Sequence, residues 1–102
     1  MTRNRAPSPQ TRKLLAVLLD QPAAWLHGYE LSKLAGLRSG TLYPLLIRLH
    51  GRQLLEARWE EPERPGRPPR HAYRLSSQGV AFARSLEERA AEAVLGSGAL
   101  AR

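Results

Sequence analysis

The segment Gly36-Leu37-Arg38-Ser39-Gly40-Thr41-Leu42-Tyr43-Pro44-Leu45-Leu46-Ile47-Arg48-Leu49-His50-Gly51-Arg52 constrains this chain more than any other. Leu42, Leu45, Leu46 and Leu49 recur at i, i+3, i+4 and i+7, one apolar stripe of an amphipathic helix. Ser39 or Gly40 can cap its start, and Pro44 is tolerable because it sits close to that start. The other face shows Arg38, Thr41, Tyr43, Arg48 and Arg52, with no carboxylate among them. Leucines behind, with hydroxyls and guanidinium groups in front, shape a helix to be held against something anionic. The major groove of DNA is the expected partner. A basic, solvated helix of an ordinary small domain would read the same way, so both readings stand at this point.

The 102 residues suffice for one core and one domain. A hydrophobic fraction of 42% lies close to that of globular chains, so wholesale disorder is not expected. No apolar run approaches the ~20 residues that span a bilayer. Leu14 to Leu19 is too short, and it follows a basic start rather than a signal peptide with a cleavage site. Cysteine is absent, which removes disulfides, thiolate metal sites and cysteine nucleophiles. A soluble, cytoplasmic protein is expected.

The formal net charge of +7 is unevenly placed. Residues 1–52 hold eight Lys/Arg against two Asp/Glu, whereas residues 53–102 hold eight against seven. Charge clustered in one half suggests a polyanionic partner better than a uniform excess would. Lys13 and Lys33 are the only lysines, so arginine supplies nearly all the cations. Arginine suits bidentate phosphate and guanine contacts. A GC-rich genome favours arginine as well, so composition carries only part of this argument.

Periodicity and punctuation place the remaining elements. Residues 1–7 read as a flexible basic arm. Ser8-Pro9 offers a cap followed by proline at the first helical position, and the helix runs to about Asp20 with Leu14, Val17 and Leu18 inward. Leu15 and Leu19 widen its apolar face. Trp25 and Leu26 are expected as core plugs rather than stacking platforms. A short helix begins near Gly28, and Gly36 is its natural stop. Only Gly36, Leu37 and Arg38 separate it from the next helix, which matches a helix-turn-helix, although any helical hairpin could share the feature.

Leu55, Ala57 and Trp59 then alternate with Glu56, Arg58 and Glu60, a strand with one buried face. Residues 61–69 contain four prolines and must be an extended loop. His71, Tyr73 and Leu75 alternate with Ala72 and Arg74 as a second strand. A hairpin directly after a helix-turn-helix is a wing, with Arg64, Arg67 and Arg70 at its tip. Ser76 caps a last helix over about 77–95, and the tail at 96–102 is expected to fray. The fold class expected is therefore mainly α with a small β-hairpin, in the order α-α-α-β-β-α, with residues 8–76 as the winged unit. Phe82, Leu86, Ala90 and Val94 at i, i+4, i+8 and i+12 give the last helix an apolar stripe that a partner copy would cover. Leu15 and Leu19 are the expected receiving surface.

In this order of elements the chain resembles the PadR family of bacterial winged-helix transcriptional regulators. The resemblance is carried by His27-Gly28-Tyr29-Glu30-Leu31, by Gly40-Thr41-Leu42-Tyr43-Pro44-Leu45-Leu46 with Arg48-Leu49, and by Leu54-Leu55 and Trp59-Glu60. Gly66-Arg67-Pro68 and Tyr73-x-Leu75-Ser76-x-x-Gly79 complete it, so it covers about residues 11 to 90. Three departures stand out. His50 replaces a usual acidic residue, Gln53 a usual glycine, and Ser76 a usual threonine. The last helix also lacks tryptophan, so the aromatic drug-binding pore of some small family members is not expected.

The expected function is that of a dimer binding double-stranded DNA, a repressor as the resemblance implies, with a palindromic operator to match its two-fold symmetry and room for a small-molecule effector. Arg38, Ser39, Thr41, Tyr43 and Arg48 are the expected contacts of the reading helix, and Arg64, Arg67 and Arg70 those of the wing. For Tyr43 two roles stay open, a ring completing the core and a hydroxyl touching phosphate. His27, His50 and His71 are dispersed, without the spacing or acidic partners of a metal or catalytic site. Glu60, Glu61 and Glu63 read as a solvated wing edge. No catalytic residue, cofactor or metal site is expected. The competing reading is a winged-helix module that binds proteins and no DNA.

Overall fold

The computed structural model describes residues 7–62 and 64–100, so nearly all of the expected basic arm and residues 101–102 lie outside the described residues. Helix α1 spans Pro9–Asp20, strand β1 Leu26–His27, helix α2 Gly28–Ala35 and helix α3 Ser39–Gly51. Strands β2 (Leu55–Glu60) and β3 (Arg70–Leu75) follow, and helix α4 covers Ser77–Leu100. The expected two-stranded hairpin is a three-stranded antiparallel sheet in the order β1-β3-β2. The third strand is only Leu26 and His27, paired to Tyr73 and Ala72, too short to leave a period in the sequence.

Local chemistry explains where the helices begin and end. The Ser8 hydroxyl accepts the Thr11 N–H at 3.2 Å, and Pro9 occupies a first-turn position whose amide would lack a partner anyway. Gly36 closes α2 in the left-handed conformation, φ 67°, which costs glycine little. Leu37 is buried, which fixes the three-residue turn between α2 and α3. The cap of α3 is Arg38, not Ser39 or Gly40 as expected: Ser39 is the first helical residue, and no side chain bonds the exposed amides. Pro44 stands inside α3 without ending it.

The leucine stripe of α3 behaves as its spacing requires. Leu42, Leu46 and Leu49 are at most 1% exposed and pack with Leu14, Leu18 and Leu31 of the two preceding helices. The sheet closes the other side through Leu55, Tyr73 and Leu75. Trp59 departs from the expected buried face of β2: it is 66% exposed, because the hairpin runs past the core, and it stacks on His71 with ring centroids 3.8 Å apart. Trp25 departs as well. It is half-buried and lies under the Arg58 and Arg74 guanidinium groups at 4.2 and 4.5 Å, so it is a stacking platform after all.

The start of α4 is locked to the turn after α3. The Ser76 hydroxyl accepts the Gly79 N–H at 3.0 Å and donates to the Gln53 carbonyl at 2.7 Å, while the Ser76 N–H donates to the Leu54 carbonyl. Gln53, where the resemblance leads one to expect glycine, holds φ 66°. Helix α4 continues to Leu100, past the expected end at 95.

Candidate nucleic-acid interface

Helix periodicity sets what α3 can offer outward. With Leu42, Leu45, Leu46 and Leu49 inside, the row opposite them is Gly40, Pro44, Ile47 and Gly51, all exposed. Thr41 and Arg48 flank this row on one side, and Ser39, Tyr43 and His50 on the other. The expected contacts therefore divide between two flanks instead of sharing one face. Arg38 stands at the start of the helix, where its carbonyl accepts the Thr41 and Leu42 amides. Arg52 leaves the group: it follows the helix end, and its guanidinium sits over the Phe82 ring at 5.4 Å.

The Tyr43 flank faces the sheet. Tyr43, Ile47 and His50 line a cleft of about 660 Å³ whose other wall includes Pro69, Arg70 and His71 of the hairpin. Tyr43 is 43% exposed, so it does not complete the core. Its ring end lies against Gly28, where a β-carbon would fall 2.8 Å from Cζ. Tyr73 in the same cleft has its hydroxyl pKa raised, first by burial and then by neighbouring Tyr43.

At the tip of the hairpin, Arg64, Arg67 and Arg70 share one hollow of about 460 Å³ with Pro62 and Pro68. The three arginines expected at the wing are thus brought together, and Arg70 lines both spaces. Among the described residues, no acidic residue lines the cleft or the hollow.

Spacing in the chain concealed the histidines. His27, His50 and His71, far apart in sequence, all line the cleft. His27 also has the acidic partners it was not expected to have: Nδ1 lies 3.1 Å from Glu30 and Nε2 2.7 Å from Glu60. Glu60 is accordingly no solvated edge. Arg58, then His27, hold its carboxyl below the ordinary 4.5. This tie joins the two outer strands across β3 and sets the position of the α2 N-terminus, where the Glu30 carboxylate accepts the His27 N–H. Only a residue-to-residue map of the folded chain could have found it. Among the described residues no group of His, Asp and Glu could hold a metal ion.

The residues expected at a dimer contact divide too. Leu15 is 2% exposed and belongs to the chain's own core, so of the α1 pair only Leu19 stays partly accessible. Phe82 and Leu86 are half-buried against that core, while Ala90 and Val94 are exposed. A shallow groove of about 180 Å³ runs between α1 and α4, bordered by Leu15, Ala16, Ala83, Leu86 and Ala90.

Two helices joined by a tight glycine turn, the second presenting its polar flanks, with a hairpin beside it, define a winged helix-turn-helix protein. The Transcriptional regulator PadR-like family model matches residues 14–85, and the chain belongs to that family. A PadR-like transcription factor from Bacteroides fragilis has a TM-score of 0.73 at 28% identity, over 88% of this chain and 87% of that one. A PadR family transcriptional regulator from Eggerthella lenta has a TM-score of 0.64 at 34% identity, over 87% and 80%. A PadR-like regulator from Bacillus cereus, at 21% identity and a TM-score of 0.70 over 90% of each chain, shares the fold. No curated protein matches the chain.

Proposed function

We propose that this regulator binds double-stranded DNA as a homodimer in the cytoplasm and represses transcription from a palindromic operator. One observation carries the reading: Tyr43, Ile47 and His50 of α3 and Arg70 of the wing border one cleft, Arg70 also borders the hollow that holds Arg64 and Arg67, and no carboxylate among the described residues lines either. Helix α3 would enter the major groove with Arg38, Ser39 and Thr41 leading, because the start of such a helix is the part that reaches base edges. Its uncapped amides favour an approaching phosphate. Arg48 lies farther along and would touch backbone. The wing arginines, Arg64, Arg67 and Arg70, would follow phosphates beside the same groove.

The dimer is supported by α4. Val94 and Leu95 are 69% and 72% exposed, apolar surface that a soluble monomer seldom leaves bare. A partner's α4 laid along the groove between α1 and α4 would cover Ala90 and Val94 with Leu19, Phe82 and Leu86 at its margin. Two-fold symmetry would then set the reading helices about 34–36 Å apart, one turn of duplex. Occupancy of the operator would block polymerase, and a small-molecule effector would act by changing the angle between the two heads.

Footprinting over the promoter of the protein's own gene tests the reading, with Arg38→Ala and Thr41→Ala beside the parent. A protected palindrome is expected, and each substitution should weaken specific binding by ~1–3 kcal/mol. Folded variants that bind as tightly as the parent would remove α3 from the groove.

A further inference from the structure

Ile47 is 73% exposed, more than any other large hydrophobic residue among the described ones. It is also the one large apolar side chain on the outward row of α3, between Gly40, Pro44 and Gly51. The glycines add no side chain and the proline ring is short, so Ile47 stands highest above the helix. A β-branched residue in a helix is nearly confined to one χ1 rotamer, so its methyl groups are already placed. The surroundings say what it meets. Arg48 and Thr41 lie on one flank and Tyr43 and His50 on the other, and α3 carries no carboxylate. An apolar protein partner would gain nothing from arginines on the rim without acidic residues of its own opposite them. A major groove supplies both features at once: phosphates at the walls, and on its floor one apolar group, the 5-methyl of thymine.

We infer that Ile47 reads thymine, by packing its side chain on the 5-methyl group at a fixed position of each half-site. Ile47 is then the specificity-determining residue at that base pair, adding an apolar contact to the hydrogen bonds that Arg38 and Thr41 would make. The inference rests on the DNA-binding reading above.

The test begins with duplexes selected by the full-length protein from a randomised pool. Each thymine of the selected site is replaced in turn by deoxyuridine, which removes only the methyl group. For the parent, one thymine per half-site should show a loss of about fourfold, the transfer worth of one buried methyl. In Ile47→Ala that loss should vanish while the losses at other positions persist, and Ile47→Val should keep most of it. The exposed site lets all variants fold, which circular dichroism verifies. Methyl losses identical in parent and Ile47→Ala, or no methyl loss anywhere, would overturn the assignment and leave DNA binding standing. Failure of any duplex to enrich, with no binding at low salt, would overturn the DNA reading and this inference together.

Discussion

Gly79 lies in the first turn of α4, where the helix crosses the backbone of Leu54. A β-carbon there would overlap the Leu54 carbonyl oxygen, and would stand 2.9 Å from the carbonyl carbon and 3.1 Å from Leu75 Cδ2. Backbone cannot swing aside as a long side chain can, so α4 or the turn after α3 must shift. That shift strains two hydrogen bonds, Ser76 N–H to the Leu54 carbonyl and the Ser76 hydroxyl to the Gln53 carbonyl. Overpacking costs ~1–3 kcal/mol, and each weakened bond about 0.5–1.5 kcal/mol. Alanine's better helix propensity returns about 1 kcal/mol. Gly79→Ala should therefore lose about 1–5 kcal/mol net. Urea unfolding reads this as a lower midpoint at unchanged slope. Gly51→Ala is the matched control: nothing lies within 4 Å of its β-carbon, and it should be neutral or stabilising by up to ~1 kcal/mol. A Gly79→Ala protein that unfolds at the parent's midpoint would refute the close approach.

Gln53→Gly should hold or raise stability by up to ~1 kcal/mol, since a side chain at φ 66° carries a penalty that glycine lacks; a lower urea midpoint would count against it. Arg67→Ala combined with Arg70→Ala should weaken all duplexes alike and flatten the salt slope by about one unit per lost contact; an unchanged slope removes the wing from the interface. Val94→Glu, at an exposed site, should move the light-scattering mass from dimer to monomer with helicity kept. A parent already monomeric at micromolar concentration would end the dimer proposal.

The parts of the fold legible in the sequence are those with a local cause. The Leu42 to Leu49 stripe, the Ser8-Pro9 start, the Gly36 stop and the Ser76 cap each depend on residues within one or two turns, and each stands where the spacing puts it. What escaped depends on contacts between distant residues. Strand β1 exists because Tyr73 and Ala72 offer it an edge. Trp25 and Trp59 look alike as hydrophobic letters. One lies under two guanidinium groups and the other on a histidine, outcomes set by where the hairpin ends relative to the core. The departure at Gln53 was visible as a letter, but its meaning, a left-handed backbone, needs the turn itself. For the site, the guanidinium groups were legible as chemistry. Their division between flanks, the prominence of Ile47 and the meeting of three histidines in one cleft were not, because helix rotation and hairpin register decide them.

If the proposed function holds, the α3 and wing side of this molecule meets the phosphates of a duplex. Fluorescence anisotropy of a labelled duplex, selected as above and titrated with the protein at 50 and 200 mM salt, tests it most directly. The wing arginines and Arg48, doubled in a dimer, amount to six or more phosphate contacts. Affinity should therefore fall about a thousandfold between those two conditions. An affinity that does not change with salt, or no binding at 50 mM, would contradict the account.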